Sequence, residues 1–217
     1  MIVPQALTTP SPDRPALRQD ITTGEWVIMA PSRAQRPQQL AAPAAGNLPP
    51  YDPGCPFCPG QEAHTPPPVL VVPDGNRPTH WTLRVVPNKF PALVADSATP
   101  PSVPDGLFPA LDGRGHHEVI IECPEHNGQL SQLPLVQLIV LVGTWGERLR
   151  ALQTDPQVQM ISLFKNHGAR AGASLPHPHT QILALPIRSA AVTDTPWRSS
   201  ITVRISSASC AQYLRQN

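Results

Sequence analysis

The residues best suited to chemistry stand at alternate positions of one short run, His177-Pro178-His179-Thr180-Gln181. The apolar residues that follow, Ile182, Leu183 and Leu185, predict a strand over Thr180 to Leu185. Side chains alternate across a strand, so this spacing puts His177, His179 and Gln181 on one side. Just upstream, Asn166 to Ser174 is a run of small and polar residues with glycines at 168 and 172. Such a loop brings backbone N–H groups close to a charged ligand with few side chains in the way. A neutral imidazole is a good nucleophile near neutral pH, a carboxamide donates to a phosphoryl oxygen, and loop amides hold the remaining negative charge. The combination points to phosphoryl chemistry. A single histidine on a strand is usually a satisfied polar residue, but three polar residues on one face beside a glycine-rich loop argue for a site.

Other chemistry-bearing residues lie far away in sequence. Cys55-Pro56-Phe57-Cys58 spaces two thiols as metal ligands are spaced in a tight turn. As half a site it needs two more ligands, and Cys123, His126, His177, His64, His116 and His117 are the candidates. A redox Cys-x-x-Cys is the rival reading, but this proline-rich loop has no helix to depress a thiol pKa. Arg33 and Arg36 stand three apart in the proline-bounded loop Pro31 to Pro37. Arginines in such a loop are ordinarily solvated; folded over a phosphate site, their guanidinium forks suit a diphosphate. Asn88, in Pro87-Asn88-Lys89-Phe90-Pro91, is either a ligand contact at a strand end or a turn former.

These residues have to be positioned by the rest of the chain. Its 217 residues with 40% hydrophobic content suffice for a core, while 30 prolines predict long extended loops and short strands. A net charge of +1 without a dense basic patch gives no reason to expect a nucleic-acid partner. The amino terminus lacks a basic start before an apolar core, and the longest apolar run, Leu135 to Val142, is too short for a bilayer; a soluble cytoplasmic protein is expected. After a polar arm over residues 1–16, Leu17 to Ala30 reads as two short strands around a Thr-Gly turn. An Ala/Pro-rich linker follows from Leu40 to Pro53. Val69 to Val72, Trp81 to Val86, Val119 to Cys123 and Val158 to Phe164 read as further strands. Ser131 is the expected N-cap of a helix running to Leu152, whose apolar residues recur at helical spacing and pack it across the sheet. The order of elements predicts an α+β fold with a mostly antiparallel sheet.

With these motifs assembled, the chain resembles the galactose-1-phosphate uridylyltransferase family, a branch of the histidine-triad superfamily, from about Leu17 to Pro186. His177-Pro178-His179-Thr180-Gln181 is the most specific element, since glutamine stands where the hydrolase branches carry a third histidine. Pro31 to Pro37, Cys55 to Cys58, Pro87 to Leu93, Glu125-His126, Lys165 to Gly168 and Gly172 to Ser174 match in the family's order. The resemblance implies a histidine-triad-like sheet with one long packed helix and proline-rich loops. It implies a two-step exchange in galactose metabolism: His179 takes the uridylyl group of UDP-glucose and passes it to galactose-1-phosphate, with Gln181 on a phosphoryl oxygen. It further implies a structural zinc ion on Cys55, Cys58, His126 and His177, with Cys123 the rival ligand. Arg33, Arg36 and Asn88 would contact the nucleotide, and Asn166, Gly172 and Ser174 the diphosphate. The partners implied are a nucleotide sugar, a sugar phosphate and a second copy in a homodimer, with neither nucleic acid nor membrane.

Full-length members continue through a second, related domain. Residues 17–187 correspond to the N-terminal domain, whereas 188–217 read as a divergent or truncated tail with Ile201 to Ile205 as its one candidate strand. The rivals are an adenylyl-transferring relative such as an ADP-sugar phosphorylase, and a zinc-stabilised fragment without turnover. A zinc-ribbon nucleic-acid binder is disfavoured, because a second Cys-x-x-Cys is missing.

Overall fold

A computed structural model describes residues 14–36, 48–96, 109–188 and 200–207. The first described elements are β1 (Ala16–Gln19) and β2 (Trp26–Met29), joined where Gly24 takes a positive φ of 73° and the Asp20 carboxylate accepts the Thr22 N–H at 2.8 Å. A short 3-10 turn, Pro31–Gln35, follows. Then come β3 (Leu70–Asp74), β4 (Arg77–Pro87), β5 (Ala110–Asp112) and β6 (His116–Ile121). Helix α1 (Leu135–Leu152) leads to β7 (Met160–His167), β8 (His179–Leu185) and β9 (Ser200–Ser207). The strands make a three-stranded sheet, β2-β1-β5, and a six-stranded sheet, β3-β4-β6-β8-β7-β9. All neighbours are antiparallel except β9, which runs parallel to β7. The expected α+β class with a mostly antiparallel sheet is thus the observed one.

Register in the larger sheet sorts the side chains. β6 and β8 pair Val119 with Gln181 and Ile121 with His179, and directly opposed residues share a face. One face of β8 therefore presents His179 and Gln181 beside Val119 and Ile121. The other presents Thr180, Ile182 and Ala184; the last two join Leu83, Val85, Ile120, Ile161 and Leu163 of the sheet in a core with Leu141 and Leu152 of α1. Gly115, at the lead-in to β6, has a φ of 147°, and a Cβ there would overlap the Ala184 carbonyl; only glycine lets the two strands approach so closely.

Helix α1 lies across that second face, as its spacing predicts. Arg148 grips Glu118 of β6 through two bonds of 2.7 and 2.9 Å, and the Gln137 amide donates to the Thr82 and Glu122 carbonyls. Two features differ from expectation. Ser131 does not cap the helix: it sits in a separate 3-10 turn, Leu130–Gln132, and Pro134 occupies the N-cap without a side-chain cap bond. The cause is local, because a residue before proline is driven out of the helical region, and Leu133 is extended with ψ of 139°. The outer side also keeps large apolar residues in water, with Leu135 73% and Val136 69% exposed alongside Ile139 and Val142. Among the described residues, no helix is long and apolar enough to cross a membrane.

Candidate functional site

The face of β8 turned away from α1 forms one wall of a cavity of about 280 Å³. His179 and Gln181 line it from β8, Val119 from neighbouring β6, Val86 from β4 beyond it, and Ser174 from the segment after the glycine loop. Arg36, Asn88, Lys89, Phe57 and Phe90 are among its other lining residues. The lining combines aromatic and aliphatic surface with cationic side chains, which suits a ligand combining a flat base with phosphate groups.

His179 is held in one tautomer. Its Nδ1 lies 2.8 Å from the carbonyl oxygen of His177, so Nδ1 carries the proton and Nε2 keeps the lone pair. Burial lowers its pKa below the usual histidine value, the bond to the His177 carbonyl opposes this, and the nearby Lys165 ammonium lowers it further. The ring is thus a neutral imidazole with a free nucleophilic nitrogen. Phe57 packs edge-on against it with centroids 5.4 Å apart, and against the His177 ring at 6.0 Å. Behind His179, on the α1 side of the sheet, the Lys165 ammonium bonds both Glu122 oxygens at 2.7 Å and Thr180 Oγ1 donates to Glu122 at 2.5 Å.

His177 stands just ahead of β8, and its ring points elsewhere. With Cys55, Cys58 and His126 it forms a fully buried group whose ligand atoms all lie within 4.8 Å of one another, an arrangement that could hold a metal ion. Cys55 Sγ and Cys58 Sγ lie 3.8 and 3.7 Å from His177 Nδ1, and Cys58 Sγ lies 3.5 Å from His126 Nδ1. A tetrahedral zinc ion, with bonds of about 2.3 Å to sulfur and about 2.0 Å to nitrogen, spaces such unlike ligands roughly 3.5 Å apart, so the residues fit it. His177 Nε2 donates to the Cys123 carbonyl at 2.9 Å, which leaves Nδ1 as the ligand atom. Burial pushes the Cys55 thiol up to about 12. A cation among these sulfurs is what makes thiolates there favourable. Cys123 is outside the group, its Sγ turned to the Glu125 carbonyl at 3.5 Å.

The remaining predicted residues divide. Arg36, Asn88 and Ser174 are on the cavity wall, whereas Arg33, Asn166 and Gly172 are not. Arg33 donates to the carbonyl of Phe90, itself a lining residue, at 2.8 Å. Asn166 belongs to β7, and Gly172 takes a φ of 81° in the loop beyond it. That loop offers fewer amides than its glycine content suggests, because the N–H groups of Ala171 and Ala173 are both spent on the Gly168 carbonyl.

Sequence reasoning gave His117 no place here beyond a candidate metal ligand. It is buried on β6, where Nδ1 accepts the Ala92 N–H at 2.9 Å and Nε2 lies 2.9 Å from Gln181 Oε1 and 3.1 Å from Asn88 Nδ2. The usable signal was parity, since His117 and Val119 share the face that opposes Gln181. Phe57 was equally visible, as the residue between two thiols placed beside histidines.

Solved structures place this arrangement in a known fold. The crystal structure of an ADP-glucose phosphorylase from Arabidopsis thaliana with bound ADP-glucose aligns with a TM-score of 0.55 at 33% identity, covering 82% of this chain and 51% of the other. A uridylyltransferase structure aligns with a TM-score of 0.55 at 27% identity over 80% of this chain and 47% of the other. The chain belongs to the galactose-1-phosphate uridylyltransferase family: the family's "Galactose-1-phosphate uridyl transferase, N-terminal domain" matches residues 8–189. Among relatives, ADP-glucose phosphorylase of Arabidopsis thaliana is 37% identical over 174 residues, 80% of this chain and 49% of the relative. Galactose-1-phosphate uridylyltransferase of Haemophilus influenzae is 34% identical over 174 residues, 79% of this chain and 47% of the relative. The chain spans about half the length of these relatives.

Proposed function

We propose that this chain transfers a nucleotidyl group from a nucleoside diphosphate hexose through a covalent nucleotidyl-histidine at His179. The observation that carries the reading is the bond from His179 Nδ1 to the His177 carbonyl, which leaves Nε2 unprotonated on the wall of a cavity shared with Gln181 and Arg36. In the first step Nε2 attacks the α-phosphorus, a P–N bond forms, and the P–O bond to the distal phosphate breaks, releasing hexose 1-phosphate. In the second an acceptor phosphate oxygen attacks the same phosphorus, the P–N bond breaks, and the imidazole is restored. The Gln181 amide donates to a non-bridging oxygen as charge builds in each transition state, and Arg36 and Lys89 balance the diphosphate. Arg33, Arg36 and Asn88 would contact the nucleotide, and Asn166, Gly172 and Ser174 the diphosphate, a reading supported for Arg36, Asn88 and Ser174 by their place on the cavity wall.

With UDP-glucose as donor and galactose-1-phosphate as acceptor the product is UDP-galactose. With ADP-glucose and inorganic phosphate the same two steps yield ADP, a second reading favoured by the 37% identity to the Arabidopsis phosphorylase. Zinc on Cys55, Cys58, His126 and His177 would be structural, since four protein ligands leave no open position.

The test is intact-protein mass spectrometry after exposure to UDP-glucose and, separately, ADP-glucose. One donor should add a single nucleotidyl mass that maps to His179 and disappears in His179→Ala. If neither donor leaves an adduct while metal stays bound, the chain is a metal-stabilised fragment without turnover and the reading is wrong.

A further inference from the structure

Gln181 can help a phosphoryl group only if its NH2 end, not its oxygen, faces the cavity. A carboxamide flips easily, so something has to choose between the two orientations. His117 is placed to make that choice. The Ala92 N–H is a backbone donor that cannot reverse itself, and it points at His117 Nδ1 from 2.9 Å. Nδ1 must therefore carry the lone pair. Burial brings the His117 pKa down to about 4, so the ring is neutral in ordinary buffers and its single proton sits on Nε2. Nε2–H then faces Gln181 Oε1 at 2.9 Å and fixes that oxygen away from the ligand.

We propose that His117 is a positioning residue that sets the Gln181 carboxamide, through the fixed chain Ala92 N–H to His117 to Gln181 Oε1, so that the Gln181 NH2 is offered to the transferred phosphoryl group. The proposal rests on the nucleotidyl-transfer reading above and deepens it. Two further observations agree. Among the described residues, the Gln181 nitrogen has no hydrogen bond to the protein, although the side chain is only 6% exposed and lines the cavity. Asn88 is oriented by the same logic, since its Oδ1 accepts the Phe90 N–H at 2.9 Å. That leaves the Asn88 amide nitrogen 3.1 Å from His117 Nε2, which has no lone pair to receive it, so the Asn88 N–H groups also remain for a ligand. Gln181 and Asn88 thus both stand donor-first, the first set by His117 and the second by the Phe90 N–H.

His117 touches no substrate in this scheme, so its replacement should act through Gln181 alone. His117→Phe keeps the ring shape and removes both ring nitrogens; His117→Gln restores a donor. In single-turnover measurements with whichever donor labels the wild type, His117→Phe should slow adduct formation about tenfold, with donor affinity changed by less than about threefold. His117→Gln should recover part of the loss, and in a Gln181→Ala background His117→Phe should have no further effect. An equal loss in that background, or a loss expressed only as weaker donor binding, would overturn the proposal. Imidazole nitrogen NMR on the unmodified full chain gives a readout independent of turnover and of whether the variants fold. A neutral Nε2–H tautomer at His117 is expected, and an Nδ1–H tautomer would overturn the proposal regardless of activity. Failure of the wild type to form any adduct counts against nucleotidyl transfer itself, and the tautomer then decides the His117 assignment alone.

Discussion

Replacing Lys165 by methionine should be among the most damaging single changes in this protein. The Lys165 ammonium and the Glu122 carboxylate are 7% and 0% exposed as side chains, with both carboxylate oxygens 2.7 Å from Nζ. Methionine fills nearly the same volume, so packing is conserved and the effect is electrostatic. What remains for the buried carboxylate is the Thr180 hydroxyl at 2.5 Å, one hydrogen bond where there were three. Removing one member of such a pair costs about 3–5 kcal/mol, because the survivor's desolvation is no longer offset. That is a large share of the roughly 5–15 kcal/mol that holds a typical domain together. Adding Glu122→Gln to Lys165→Met removes the orphaned charge while keeping an acceptor for Thr180. The double variant should return to within about 2 kcal/mol of the wild type, a coupling energy well outside simple additivity. Urea unfolding followed by circular dichroism on the wild type, both single variants and the double variant gives the cycle. A cost below about 1 kcal/mol for Lys165→Met, or a double variant equal to the sum of the singles, would show that the pair is not desolvated as described.

Two further outcomes are expected. Cys55→Ser should abolish stoichiometric metal binding, measured by elemental mass spectrometry, and lower the melting temperature by several degrees or more; chelation of the wild type should do the same. A metal-replete Cys55→Ser protein would refute the four-residue site. His117 also makes stability depend on pH: its folded value of about 4 lies below the ordinary 6.5, so folding favours the neutral ring. The contribution is fully present above about pH 6.5 and is lost as pH falls through about 4, amounting to roughly 3 kcal/mol at the acid end. Unfolding free energies of wild type and His117→Phe across that window should converge toward low pH; parallel curves would contradict the assignment.

Much of the site was legible because its chemistry sits at short, periodic spacings. Cys55 and Cys58 in one turn, and His179 and Gln181 on one strand, declare themselves without tertiary information. The division of labour between neighbouring residues was not legible in the same way. Arg33 and Arg36 share one 3-10 turn, yet only the fold shows that the first holds the Phe90 carbonyl and the second reaches the cavity. His116 and His117 are interchangeable as a pair of letters; the β6–β8 register sends one toward Gln181 and leaves the other to Asp155 at 3.0 Å. Ser131 carried a good cap residue's chemistry, but Pro134 moved the helix start beyond its reach. The alternation that predicted three polar groups on one side held for His179 and Gln181, while His177, ahead of the strand, was free to turn its ring toward the cysteines. The tail's strand was visible as a β-branched run, but its parallel pairing with β7 was not.

The residue between the two histidines gives the region its mechanical character. Pro178 has a φ restricted near −65° and no N–H to exchange partners, and its carbonyl is pinned by the Glu122 N–H at 3.2 Å. His177 serves the metal group with its ring and steers the neighbouring imidazole with its carbonyl, so this proline acts as a rigid strut between two jobs done by consecutive turns of the same backbone. A disturbance at the sulfurs would therefore be felt as a change of aim at His179 Nε2.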